Sequence, residues 1–162
     1  MIELNSKTQQ DFLNREWVQK LLDAGVDMYL DAKYMLYVDG DLSVWIIERQ
    51  PKHTYAYCKP RNILPTYTVS ELLYKLHEYI YPEIDGNKYA GGLKFCKDAP
   101  FYIWYYDLRK TEPYTDEDFK KKEDYIYAEF EYPIESLASL LIQCHKKDIG
   151  IERKDTGDIS DK

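Results

Sequence analysis

What this sequence has little of narrows it first. Cysteine is scarce: Cys58, Cys96 and Cys144 are few, odd in number and widely spaced. That does not suit a secreted disulfide framework and points to reduced thiols in a cytoplasm. Long apolar runs are missing too. The longest, Phe101 to Tyr106, falls far short of the roughly 20 residues of a membrane-spanning helix, as does Leu137 to Ile142, which Ser139 interrupts. Met1 to Ser6 has no basic flank and no apolar stretch of signal-peptide length, so the expected location is cytoplasmic, without membrane contact. Positive charge is in deficit, with 22 Lys and Arg against 29 Asp and Glu and a net charge of −7. A summed field of that sign repels phosphate and argues against general nucleic-acid binding.

Chemical signatures are equally sparse. There is no Walker A sequence, no Gly-x-Gly-x-x-Gly after a strand and no Gly-x-Ser-x-Gly elbow. His53 with Cys58, and Cys144 with His145, do not recur as the paired ligands a zinc site needs. As nucleophile–base dyads they compete with the commoner state of cysteine, buried and inert. Glu129 and Glu131 share a strand face, as a nuclease or glycosidase pair would. They also alternate with Ala128 and Phe130, which is what any half-solvated strand does. No catalytic residue, metal ligand or cofactor is assigned.

What is present is a core. A chain of 162 residues fits one domain, and that size buries about two-thirds of the unfolded surface without help from metal or disulfide. Hydrophobic residues at 44% and 17 tyrosines exclude a disordered chain. One domain is expected over residues 1–151, with a fraying polar tail at 152–162.

Ser6-Lys7-Thr8-Gln9 reads as a capping box, followed by Phe12, Leu13, Trp17, Leu21 and Leu22 at helical spacing and Gly25 as the stop. Lys33 to Val38 and Leu42 to Glu48 alternate around Asp39-Gly40, a hairpin signal in which Val44 and Ile46 share one face and Trp45 and Ile47 the other. Thr54 to Cys58 reads as a further extended piece beside that hairpin. Thr68-Val69-Ser70-Glu71 caps a second helix with a Val69, Leu72, Leu73, Leu76, Ile80 stripe. Asp85-Gly86-Asn87 and Gly91-Gly92 read as loops, and Leu93 to Cys96 with Phe101 to Asp107 as a second hairpin. The polar residues 108–124 read as a mobile excursion, Tyr125 to Glu131 as a last strand, and Pro133 as the start of a third helix. Short hairpins and one-faced helices give an α+β fold: an antiparallel sheet of about five strands with three helices mainly on one face.

Two segments stand out as candidate surfaces. Arg49, Lys52, Lys59 and Arg61, with His53, occur without an acidic residue and are interleaved with Tyr55 and Tyr57. Such a mixture stacks on a base and holds phosphate oxygens, or else is a polar hairpin edge whose Lys and Pro deter aggregation. Phe101 to Tyr106 carries large residues on both strand faces. If helices cover one face, Tyr102, Trp104 and Tyr106, or their alternates, stay exposed as a ribbon suited to a partner. The other reading is a tyrosine-rich sheet whose hydroxyls simply reach water.

Leu21-Leu22-Asp23-Ala24-Gly25, Leu64 to Leu73 and Tyr127 to Ala138 resemble stretches of small uncharacterised proteins from phages, prophages and mobile elements of gut bacteria. The resemblance lies in framework segments and implies no activity or catalytic residue; residues 88–124 depart from it. The leading expectation is a non-catalytic accessory protein that binds a host or phage protein through its aromatic sheet face. The alternative is a small-molecule or nucleotide-sequestering protein using residues 49–61. A third is an enzyme whose site gathers scattered carboxylates with His77 or His145. A homodimer formed by strand addition at an uncovered sheet edge also fits.

Overall fold

Helix boundaries follow the local chemistry closely. In the computed structural model, which describes residues 1–5, 7–39, 43–84, 86–112, 114–119 and 126–147, the first helix α1 spans Arg15–Asp23. Its N-cap is Asn14, whose Oδ1 accepts from the Trp17 N–H at 3.0 Å. The helix therefore begins later than the spacing from Phe12 suggested, because Phe12 is held in a bridge to Thr68. Ser6 lies outside the described residues, but the capping box expected there does not start a helix: Lys7 to Gln9 form a turn, and the Gln9 Nε2 donates to the Tyr132 hydroxyl at 2.7 Å. Gly25, at φ +98°, ends α1 as expected. The Val26 N–H returns to the Leu21 carbonyl and the Gly25 N–H to the Leu22 carbonyl, a Schellman arrangement that satisfies two terminal acceptors.

A first sheet follows, with β1 at Ile2–Glu3, β2 at Tyr34–Val38, β3 at Val44–Glu48 and β4 at Ile63–Thr66, in the order β1-β3-β2-β4. Register sets Leu36 opposite Ile46 and Leu64 on one face, and Met35 opposite Ile47 and Pro65 on the other. The first face joins the main core. The second is covered by the one-turn helices α2 (Met28–Asp31) and α3 (Tyr55–Cys58), which bury Met35 with Cys58 and Ile63. Thr54 to Cys58 is thus helical rather than extended: the Thr54 hydroxyl accepts from the Tyr57 N–H, and Ile63–Thr66 takes the strand position instead. The Asp39-Gly40 turn falls at residues outside the description, though Asp39 and Ser43 close the hairpin at 2.8 Å.

The capping box at Thr68 is present as read, with Glu71 reaching back to the Thr68 N–H, and it starts α4 at Val69–Lys75. Then comes the second sheet. β5 (Tyr79–Ile80) and β6 (Glu83–Ile84) pair with β7 (Asn87–Asp98). β7 forms a long hairpin with β8 (Phe101–Glu112), and β8 is flanked on its other side by β9 (Tyr114–Phe119) and β10 (Tyr127–Phe130). Two readings are corrected here. Gly91 and Gly92 lie inside β7, not in a loop. A Cβ on Gly91 would stand 2.2 Å from the Asp107 carbonyl oxygen, so the close approach of β8 demands a residue without a side chain. Residues 108–112 and 114–119 are strand rather than a mobile excursion, because backbone bonds along β8 and β9 need no apolar alternation; residues 113 and 120–124 lie outside the described residues.

The final helix, α5 (Pro133–Lys147), buries Ile134, Leu137, Ala138, Leu140, Leu141 and Cys144. It packs on α1, α4, β8 and β10. The architecture is α+β with antiparallel pairing, as expected, but the strands form two sheets with helices packed between them. One contiguous core joins Leu36 and Ile46 of the first sheet to Tyr106, Leu108 and Ala128 of the second. Among the described residues no helix is long and apolar enough to cross a membrane. The tail from residue 152 lies outside them.

Candidate functional site

The basic and aromatic segment is folded onto itself. Arg49 Nη1 donates to the Leu30 carbonyl at 2.9 Å and Nη2 to the Tyr29 carbonyl, so its guanidinium ties off α2. The Arg61 guanidinium lies 3.8 Å from the centre of the Tyr57 ring and donates to the Tyr57 carbonyl at 2.8 Å. Lys52 also approaches that ring, at 5.6 Å, while Lys59 lies 5.4 Å from the Tyr55 ring. Tyr55 turns the other way, edge-on to Tyr29 at 5.1 Å. His53 is buried, with Nδ1 accepting from the Gln50 N–H at 2.8 Å. Burial, with Lys52 and Arg49 nearby, holds its imidazole below the ordinary value. The structure therefore brings these residues together but already occupies Arg49 and the Tyr57 ring, which suits architecture better than base stacking.

Of the aromatic ribbon, Tyr106 is withdrawn. It is 3% exposed, and its hydroxyl donates to the His77 carbonyl at 2.6 Å; burial raises its pKa. The reason is parity: Tyr102, Trp104, Tyr106 and Leu108 occupy the strand face toward α5, so the ribbon sinks into the core as β8 proceeds. Its exposed part is confined to the hairpin tip. There Phe95, 47% exposed, stacks on Tyr102 at 6.2 Å and tilts against Trp104 at 4.9 Å. Lys97 sits 5.4 Å from the Tyr102 ring. Phe95 was missed in the sequence, although its position opposite Trp104 on the paired strand follows once the hairpin register is known.

The tip also has an open edge. The Leu93 N–H donates outward to the Glu78 carbonyl at 2.8 Å, beyond which α4 leads the chain away. By strand alternation the backbone groups of Phe95 and Lys97 point to the same side, where no described strand follows. Trp104 Nε1 is buried beneath this cluster and has no hydrogen-bond partner among the described residues.

The remaining chemistry is dispersed. Among the described residues no three His, Cys, Asp or Glu side chains gather as a metal site. Burial pushes the Cys144 thiol up to about 12 and raises Cys58 as well, the opposite of what a thiolate nucleophile needs. Glu129 is exposed and accepts from the Tyr127 hydroxyl at 2.8 Å. A cavity of about 630 Å³ beside α4 contains Tyr67, Asp31 and Lys75. These form a closed network, in which Tyr67 donates to Asp31 at 2.6 Å and Lys75 pairs with Asp31. A second concavity of about 580 Å³ lies on the far side of the second sheet.

Comparison with known proteins finds no matching family model, no matching curated protein and no matching solved structure.

Proposed function

We propose that this chain is a non-catalytic binding module, of the phage or mobile-element kind its framework stretches resemble. It grips an extended segment of a partner protein along the tip of β7. The observation that supports this reading is the conjunction at one place of an unpaired strand edge and a half-exposed aromatic cluster. An added strand would satisfy the Phe95 and Lys97 backbone groups and lay alternate side chains against Phe95, Tyr102 and Trp104. Lys94 and Lys97 flank the edge on its two faces, so the fitting segment alternates apolar residues and carries acidic ones. The same lysines discourage pairing between two copies of the chain.

The test is selection of extended peptides from a randomised library, followed by fluorescence polarisation with the enriched sequences. Acidic, alternating peptides are expected, with affinity falling about tenfold or more in Phe95→Asp and in Lys97→Pro, which deletes one edge N–H. Peptides that bind both variants as tightly as wild type would place the contact elsewhere. A change of oligomeric state with concentration, lost in Lys97→Pro, would identify a second copy as the occupant instead.

A further inference from the structure

The outer face of the second sheet holds a trough of about 580 Å³ that crosses β5, β7 and β8. Its floor is low because Ala90 and Gly92 project little. Tyr79 pairs with Gly92 and walls one side. A Cβ on Gly92 would stand 3.4 Å from the Tyr79 Cδ2 and 3.6 Å from its Cε2, so the ring is seated against that glycine. Tyr79 is nevertheless 53% exposed, and Tyr81, whose ring lies 5.3 Å from it, is 77% exposed. Two adjoining rings thus stand open to solvent beside a recess.

The rim of the trough is polar and balanced. Glu78 and Asp107 stand against Lys94 and Arg109, two acids to two bases. Thr111 adds a hydroxyl that donates to the Lys88 carbonyl at 3.2 Å and keeps lone pairs for a further donor. An anion or a cation in this trough meets as many opposed charges as favourable ones. A wholly apolar ligand would take water from charged groups and return no hydrogen bond. The lining therefore suits a neutral molecule with an apolar face and a polar rim. A sugar ring has both. Its C–H groups gather on one face, where the negative face of a tyrosine ring attracts them. Each of its hydroxyls is donor and acceptor at once, so acids and bases serve it equally.

We infer that this trough binds a neutral saccharide, with one sugar ring stacked on Tyr79 and its hydroxyls shared among Glu78, Lys94 and Arg109. The volume lies in the range of small-ligand sites, roughly 300–1,000 Å³. Tyrosine suits the contact because its broad ring has few torsions to immobilise. The site goes beyond the peptide-binding edge, since Phe95 projects from the other face of β7 by strand alternation.

Titration of the full chain with maltotriose, cellotriose, mannotriose and triacetylchitotriose, followed by amide NMR, tests this directly. At least one of these probes is expected to shift the amides of Tyr79, Gly92 and Lys94 at millimolar concentration. Its affinity should barely change between low and high salt, because the ligand carries no charge. Tyr79→Phe keeps the ring and should bind as wild type, whereas Tyr79→Ala should bind about tenfold more weakly. Glu78→Ala removes a side chain that has no hydrogen bond or ion pair among the described residues, so it spares the fold and should weaken binding about threefold or more. Phe95→Asp should leave the saccharide bound while it weakens the peptide. Four titrations without amide shifts overturn the inference, and so does binding that both Tyr79→Ala and Glu78→Ala leave intact. Tighter binding of glucose 6-phosphate or glucosamine than of every neutral probe overturns it as well, since the trough would then select a charge.

Discussion

The two sheets spend their polar groups differently. Around the first sheet four conspicuous polar side chains are engaged internally: Arg49 on carbonyls of α2, Tyr67 and Lys75 on Asp31, His53 on the Gln50 N–H. Among the described residues, the two side-chain atoms buried without a hydrogen-bond partner, Trp104 Nε1 and Asp107 Oδ1, both lie on β8 of the second sheet. A region that closes its own hydrogen bonds is building structure. One that leaves them open holds capacity for something else. In sequence the aromatic strand Phe101 to Tyr106 is the leading candidate and the basic segment 49–61 the alternative; it is the alternative whose groups the fold has already engaged.

The contrast can be broken by mutation. The largest effect is expected for Arg49→Met, which abandons the Tyr29 and Leu30 carbonyls and should cost about 2–3 kcal/mol in chemical denaturation. A loss below about 0.5 kcal/mol, the level of an ordinary surface change, would mean that Arg49 is not structural and would reopen the segment to ligands.

An intermediate effect should come from acid. His53 is buried neutral, with its folded pKa below the unfolded value near 6.5. The unfolded chain therefore takes up the proton first. The contribution of His53 is complete above about pH 6.5 and is lost as pH falls from there through the lowered folded value. Melting temperature should drop from pH 7.5 to 5.5, and His53→Asn, which keeps an acceptor for Gln50 but cannot titrate, should flatten that limb. An equally steep limb in the variant would assign it to other groups.

The smallest effect sharpens the other side. Asp107→Asn should leave stability within about 0.5 kcal/mol of wild type, because among the described residues the buried Oδ1 has no hydrogen-bond partner to lose. If it costs as much as Arg49→Met, the two sheets do not differ in the way described.

How much of this could be read in advance depended on range. The Thr68 capping box, the stop at Gly25 and the start at Pro133 are local, governed by a few adjacent residues, and each stands where its chemistry put it. The pairing of strands into two sheets is set by distant partners and left no local mark. Gly91 was misjudged for the same reason: its cause, the Asp107 carbonyl, belongs to another strand. Alternation in Phe101 to Tyr106 told which residues share a face but not which face the helices would take, so Tyr106 was grouped with surface residues. Arg49 gave no hint that its fate was a helix end rather than a phosphate.

The three thiols offer a last consequence. Cys58 and Cys144 are sealed in the interior, whereas Cys96 is partly open on β7, in line with the trough and between Phe95 and Lys97. A maleimide fluorophore added to the native chain would attach at that single address without engineering. Its brightness would then register arrivals from either side of the hairpin, giving a labelled reporter that needs no mutation to build.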